Sequence, residues 1–184
     1  MKAVVILANG FEEIEAMTIV DVLRRGGVDV SVLALDDSSL DVEGAHGIGV
    51  VADAEWEDEV VNAADIMILP GGGRGMEALR SDSRVLEALR RFDENGKFIA
   101  AICAAPAVLQ KAGVLKGRKV VCYPGMEDQI KDASIQKGPN ILRDGTIITG
   151  SGPATAMEFA LGVLEMLEGS AVRKEVADGL LFKS

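Results

Sequence analysis

Lys97-Phe98-Ile99-Ala100-Ala101-Ile102-Cys103-Ala104-Ala105-Pro106-Ala107-Val108-Leu109 is the stretch on which the fold turns. Phe98 to Ile102 is an unbroken apolar run of strand length. Pro106 suits the first turn of a helix, where its missing N–H costs nothing. Cys103 falls where strand should break into helix, and the small Ala101, Ala104 and Ala105 let the backbone turn sharply around it. This is the layout of a nucleophile elbow, with alanine where glycine is usual. A thiol at a helix N-terminus feels the positive end of the dipole and nearby N–H groups, both of which favour thiolate. A buried core cysteine at a strand end fits the same residues. The stretch alone leaves both readings open.

The pattern extends in both directions. Ala3–Ala8 reads as a buried strand, Asn9-Gly10 as a turn, and about Glu12 to Arg25 as a helix stopped by Gly26-Gly27. Val28–Leu35 and Asp65–Leu69 read as further strands, the latter ending at Pro70-Gly71-Gly72-Gly73. A helix over about Ser83–Asn95 precedes the strand that feeds Cys103, and Lys119–Cys122 is a short strand. Asp144-Gly145 marks a hairpin between Asn140–Leu142 and Thr146–Thr149. Pro153 opens a long helix to about Leu167, with a shorter one over Val172–Leu181. Alternating strands and helices predict an α/β fold: a doubly wound, mostly parallel sheet with helices on both faces. Ligands of such sheets sit beyond the carboxyl ends of the strands. No linker, repeat or low-complexity tract interrupts the chain, so residues 1–184 form a single domain.

The chain has 184 residues, with 48% hydrophobic and only 4% aromatic residues, which predicts an aliphatic core. A net charge of −10 argues against nucleic acid and anionic membranes, which both demand a basic surface. No apolar run approaches the roughly 18 residues of a membrane span, and the first residues do not read as a signal peptide. Two cysteines without an export signal suggest thiols in a reducing cytoplasm. A cytoplasmic location is therefore expected.

Three loops at strand ends carry the candidate chemistry. Glu12, Glu13 and Glu15 open the first helix, and the first two are adequately explained as complements to its dipole. Ile14, Thr18, Ile19, Val22 and Leu23 outline the buried face, so Glu15 lies beside it and can reach the sheet-end crevice. Desolvation there would raise its pKa and suit it to acid–base work. The glycines at 71–73 lack the Gly-Lys-Ser/Thr ending of a phosphate loop, and they do not follow the first strand. They serve either as a tight connection or as backbone donors of an oxyanion hole. His46 is the only histidine, and with two separated cysteines it offers no ligand-spaced cluster, so no metal is expected. Cys122, on a strand, reads as inert packing.

These segments together resemble the ThiJ/PfpI superfamily, in the DJ-1-like branch around the Parkinson-disease protein. The resemblance rests on Val5-Ile6-Leu7-Ala8-Asn9-Gly10-Phe11-Glu12-Glu13-Ile14-Glu15, Val20-Asp21-Val22-Leu23-Arg24-Arg25-Gly26 and Leu69-Pro70-Gly71-Gly72. It continues through Ala100-Ala101-Ile102-Cys103-Ala104-Ala105-Pro106 and Gly152-Pro153-Ala154-Thr155-Ala156-Met157-Glu158-Phe159-Ala160. It implies a flavodoxin-like, class I glutamine amidotransferase-like sandwich. Cys103 would be the reactive cysteine, Glu15 its hydrogen-bonded carboxyl, and Gly71 and Gly72 backbone donors beside the sulfur. Gly152-Pro153 would reach the same pocket.

The branch forms homodimers, partly through the helix holding Asp21 and Arg25, with the pocket near the interface. His46 aligns with a basic pocket position that is often arginine. Tyr123 stands where some members carry a histidine near the cysteine.

The activity implied is that of a cofactor-free glyoxalase or deglycase acting on small carbonyls such as methylglyoxal. Cys103 would add to the aldehyde, N–H groups near Gly71, Gly72 and Ala104 would hold the oxyanion, and Glu15 would move the proton. The alternatives are a redox-sensing or chaperone-like protein that uses oxidation of Cys103, and an intracellular cysteine peptidase. The peptidase needs a base where this chain has Tyr123, and tyrosine does not serve as one at neutral pH.

Overall fold

A computed structural model describes residues 1–183. Strand β1 (Lys2–Leu7) runs into helix α1 (Glu13–Arg25) and strand β2 (Asp29–Ala34). A hairpin of β3 (Asp41–Glu43) and β4 (Gly49–Val51), the short β5 (Ala54–Glu55) and helix α2 (Asp58–Ala63) lead to β6 (Ile66–Leu69). Helices α3 (Gly73–Ser81) and α4 (Ser83–Glu94) precede β7 (Phe98–Ile102) and α5 (Pro106–Ala112). Strands β8 (Lys119–Val120), β9 (Ser134–Ile135), β10 (Ile141–Asp144) and β11 (Ile147–Gly150) follow, then α6 (Ala156–Glu168) and α7 (Ser170–Gly179).

The main sheet has seven strands in the order β10-β11-β7-β6-β1-β2-β5, all parallel except the edge strand β10. This is the doubly wound sheet expected from the alternation. Strands β6 and β11 are buried along their whole length, as strands covered on both faces must be. Helices α1, α6 and α7 pack together as one layer, and α3, α4 and α5 as the other. The register β6–β7–β11 aligns Leu69 with Ala101 and Gly150 with Ile102. The loops after these three strands therefore open at one end of the sheet. No helix among the described residues is long and apolar enough to cross a membrane.

Two sequence expectations change. Gly73–Ser81 forms a helix of its own ahead of the one expected over about Ser83–Asn95, entered through Gly72 at φ +97°. On α1 the buried face includes Glu15, Ala16, Ile19, Val22 and Leu23, whereas Ile14 is 58% exposed. Ile19, Val22 and Leu23 are buried as expected, and at the start of the helix Glu15 and Ala16 take the buried place expected of Ile14.

Candidate active site

Cys103 ends β7 with φ +64°, a left-handed conformation that L-residues other than glycine rarely adopt. Its N–H donates to Gly150 O at 2.9 Å, and its carbonyl accepts from Tyr123 N–H at 2.9 Å. Backbone strain is kept where surrounding bonds over-determine it. Here β11 and the segment after β8 hold the turn from both sides. The elbow read from the sequence is present.

Glu15 approaches the sulfur from α1. It is fully buried, and Gly71 N–H donates to its Oε2 at 2.7 Å. The other oxygen, Oε1, has no hydrogen-bond partner among the described residues, and the carboxyl stands against the Cys103 thiol. Burial pushes the Glu15 pKa up to about 7, against the Gly71 hydrogen bond and the adjoining Cys103 thiol, and the nearby Glu12 charge adds to the rise. Burial likewise pushes the thiol up to about 12, reinforced by the Glu15 charge, while the Ala104 and Gly72 N–H groups pull it down. The sequence led to the expectation that the helix end and nearby N–H groups favour the thiolate; they do pull that way, and burial and the Glu15 charge push the other way. Two amides do not outweigh burial beside a carboxylate. The pair titrates as a unit, and a thiolate forms most readily when the proton resides on Glu15.

The glycine loop divides its work. Gly71 N–H is committed to Glu15, so it is not the free oxyanion donor expected from the sequence; the amides of Gly72 and Ala104 face the sulfur instead. A Cβ on Gly71 would lie 2.6 Å from Cys103 Cβ and 2.8 Å from Glu15 Oε2, so only glycine lets this loop close on the pair. Gly71 O in turn accepts from Glu12 N–H at 3.0 Å, which ties the loop to the start of α1.

Gly152 and Pro153 follow β11 and open a 3-10 turn. Gly152 N–H is spent on Thr155 Oγ1 at 3.2 Å, and Pro153 has no N–H, so this loop supplies shape and no backbone donor. The Tyr123 ring lies over Gly152, where a Cβ would meet Cδ2 at 3.1 Å, and is exposed at the rim. Arg25 sits ten residues along α1 from Glu15, about 15 Å away at 1.5 Å per residue, bound to Asp21 at 2.7 Å. Within this chain it does not join the site. His46 lies on the β3–β4 loop and binds Glu13, not the sulfur.

Glu12 and Glu13, read from sequence only as dipole complements, are both buried. Nothing in their spacing marks them, because the residue that gathers them comes from another loop. A cleft of about 810 Å³ opens among Ala8, Leu35 and Arg74 and does not include Cys103. Chemistry, not volume, locates the candidate site.

Residues 1–166 match the model of the DJ-1/PfpI family. The chain is 40% identical over 181 residues to "Protein dj-1beta" of Drosophila melanogaster, covering 98% of this chain and 96% of that protein. It is 36% identical over 159 residues to "Glutathione-independent glyoxalase DJR-1.2" of Caenorhabditis elegans, covering 86% of this chain and 83% of that protein. The crystal structure of Drosophila DJ-1beta superposes with a TM-score of 0.95 at 39% identity, covering 100% of this chain and 98% of that one.

Proposed function

The chain belongs to the DJ-1/PfpI family, and from that premise we propose that it converts small 2-oxoaldehydes such as methylglyoxal to 2-hydroxyacids through Cys103, without glutathione. One observation carries the reading: a buried carboxyl, Glu15, stands against a thiol on a strained elbow. The name of the C. elegans relative supports the reaction class.

The pair works with one shared proton. With that proton on Glu15, the Cys103 thiolate is cradled by the Gly72 and Ala104 amides. The sulfur adds to the aldehyde carbon, and the oxygen takes the Glu15 proton, giving a neutral hemithioacetal. The Glu15 carboxylate next removes the hydrogen on that carbon. The electron pair of the broken C–H bond forms the carbon–carbon double bond of an enediolate, with the negative charge on the second oxygen, and the acid returns its proton to the neighbouring carbon. The hydroxyl proton passes from the first oxygen to the second. One carbon is oxidised and its neighbour reduced, so no outside oxidant or reductant enters. Water cleaves the resulting thioester, releasing hydroxyacid and thiol.

Peptide hydrolysis asks for more. Expelling an amine needs a general acid, usually a histidine beside the nucleophile, and Tyr123 is the side chain at that position.

The test is lactate formation from methylglyoxal over many turnovers, with wild type against Cys103→Ser. Turnover lost in the variant supports the proposal. No turnover, with selective peroxide oxidation of Cys103, would assign the site to redox sensing. Cys103-dependent cleavage of casein would assign it to a peptidase.

A further inference from the structure

Away from the sulfur, three side chains with metal-binding atoms converge at the start of α1. Glu12 and Glu13 leave the turn after β1, and His46 returns to them on the β3–β4 loop. His46 Nδ1 lies 2.8 Å from Glu13 Oε2 and 3.8 Å from Glu12 Oε2. One ligand atom from each residue falls within 4.8 Å of the other two. We propose that Glu12, Glu13 and His46 form a binding site for a divalent cation of the zinc class. The sequence expectation of no metal cluster considered only histidine and cysteine spacing, and the fold supplies the carboxylates.

The cluster is more than an ion pair because its members are unequally satisfied. Glu13 is fully engaged: Oε1 accepts His46 N–H at 2.6 Å, and Oε2 faces the His46 ring. Glu12 is only 8% exposed, yet its carboxylate accepts no hydrogen bond among the described residues. Its Oε2 stands 3.8 Å from His46 Nδ1, beyond hydrogen-bond reach, with the Glu13 carboxylate also within 4.8 Å. The carboxylate keeps a narrow opening to solvent, its side chain being 11% exposed, and two acids close together repel one another unless a cation lies between them. A cation bound between Glu12 and His46 supplies that charge.

The geometry suits the ion. Zinc–nitrogen and zinc–oxygen bonds of about 2.0–2.2 Å put tetrahedral ligands about 3.3–3.5 Å apart. The two separations found, 2.8 and 3.8 Å, bracket that value. The His46 side chain is 69% exposed, so its ring can shift from the Glu13 hydrogen bond toward a shared ion. The carboxylate of Glu13 is held under the loop because Gly44 has no Cβ there to collide with it. Ala45 N–H donates to Phe11 O at 2.8 Å, which fixes the loop against α1. The exposed side of His46 leaves room for a water as fourth ligand. The helix N-terminus opposes a cation with roughly half a positive charge, but two carboxylates outweigh it.

Cobalt(II) is the probe, titrated into the full chain and followed by its visible d–d absorption and by calorimetry. One ion per protomer is expected, with no sulfur-to-cobalt charge-transfer band. Glu12→Gln and His46→Gln should each weaken binding at least tenfold, and Cys103→Ser should leave it unchanged. Glu12→Gln is the decisive variant, because that carboxylate accepts no hydrogen bond, so the fold does not depend on it. Unchanged binding in Glu12→Gln, loss of binding in Cys103→Ser, or no cobalt binding by the wild-type chain would each overturn the site.

Discussion

The Glu15 carboxyl and the Cys103 thiol occupy one buried corner, and the negative charge of Glu15 makes the thiol harder to ionise. Gly71 orients the carboxyl with a 2.7 Å hydrogen bond, while Gly72 and Ala104 orient the sulfur. With the proton on Glu15 the opposing charge is gone, and the Gly72 and Ala104 amides then favour the thiolate.

Replacing Glu15 by Gln keeps its shape and removes its ability to shuttle a proton. General acid–base catalysis is typically worth about 10²–10⁴-fold. Glu15→Gln should therefore lose at least about a hundredfold in lactate formation, with the fold intact and Cys103 still open to alkylation. Glu15→Asp, one methylene shorter, should also be impaired. Wild-type rates in both variants would remove Glu15 from the mechanism.

Stability should respond to the same carboxyl with a defined sign. Glu15 ionises at about 7 in the fold against 4.5 for the free side chain. Between those values the native state keeps a proton that the unfolded chain has lost, so stability falls as pH rises from 4.5 to 7. The full effect is roughly 3 kcal/mol at most. Glu13 acts oppositely: burial raises it, but the His46 hydrogen bonds prevail and hold it at about 2. Its contribution is present above 4.5 and fades as pH falls toward 2. Urea unfolding at pH 5 and pH 8 should show Glu15→Gln gaining on wild type only at pH 8. An equal difference at both pH values would contradict the raised pKa.

Gly71→Ala forces a methyl to within 2.6 Å of Cys103 Cβ and 2.8 Å of Glu15 Oε2. Overpacking of this kind costs about 1–3 kcal/mol. Thermal unfolding should shift down accordingly, and turnover should drop far more than stability does. An active Gly71→Ala would mean the loop does not position the pair.

Cys103 and Cys122 are equally buried, each 9% exposed, so access alone does not rank them. Burial pushes the Cys122 thiol up to about 11, with a contribution from the Glu127 charge. Cys103 has amide donors and a carboxyl able to take its proton. Timed alkylation with peptide mapping should label Cys103 first. Equal rates, or Cys122 first, would count against the site.

Ile14 and Ile48 are each 58% exposed, and Val51 is 68% exposed, on α1 and the hairpin whose loop docks against it. Isolated exposed apolar residues mean little, but several close together mark an interaction surface. A homodimer is expected in light scattering at micromolar concentration, and Ile48→Glu should shift it toward monomer. A monomeric wild-type chain would end that expectation.

The sequence determined what depends on neighbours along the chain. Alternating apolar runs gave the doubly wound sheet, and Ile102-Cys103-Ala104 with Pro106 gave the elbow, because strand, turn and helix signals are local. Tertiary structure decided what depends on residues distant in sequence. Glu15 and Gly71 are 56 residues apart, so no spacing rule says that the Gly71 amide is spent on the Glu15 carboxyl. The reading of α1 held at Ile19, Val22 and Leu23 and failed in the first turn, where Ile14 is exposed and Glu15 buried, because what covers the first turn comes from loops distant in sequence. The upward shift of the Cys103 thiol and the meeting of Glu12, Glu13 and His46 belong to the same class. Both arise from burial and proximity, which exist only once the loops after separate strands are brought to one end of the sheet.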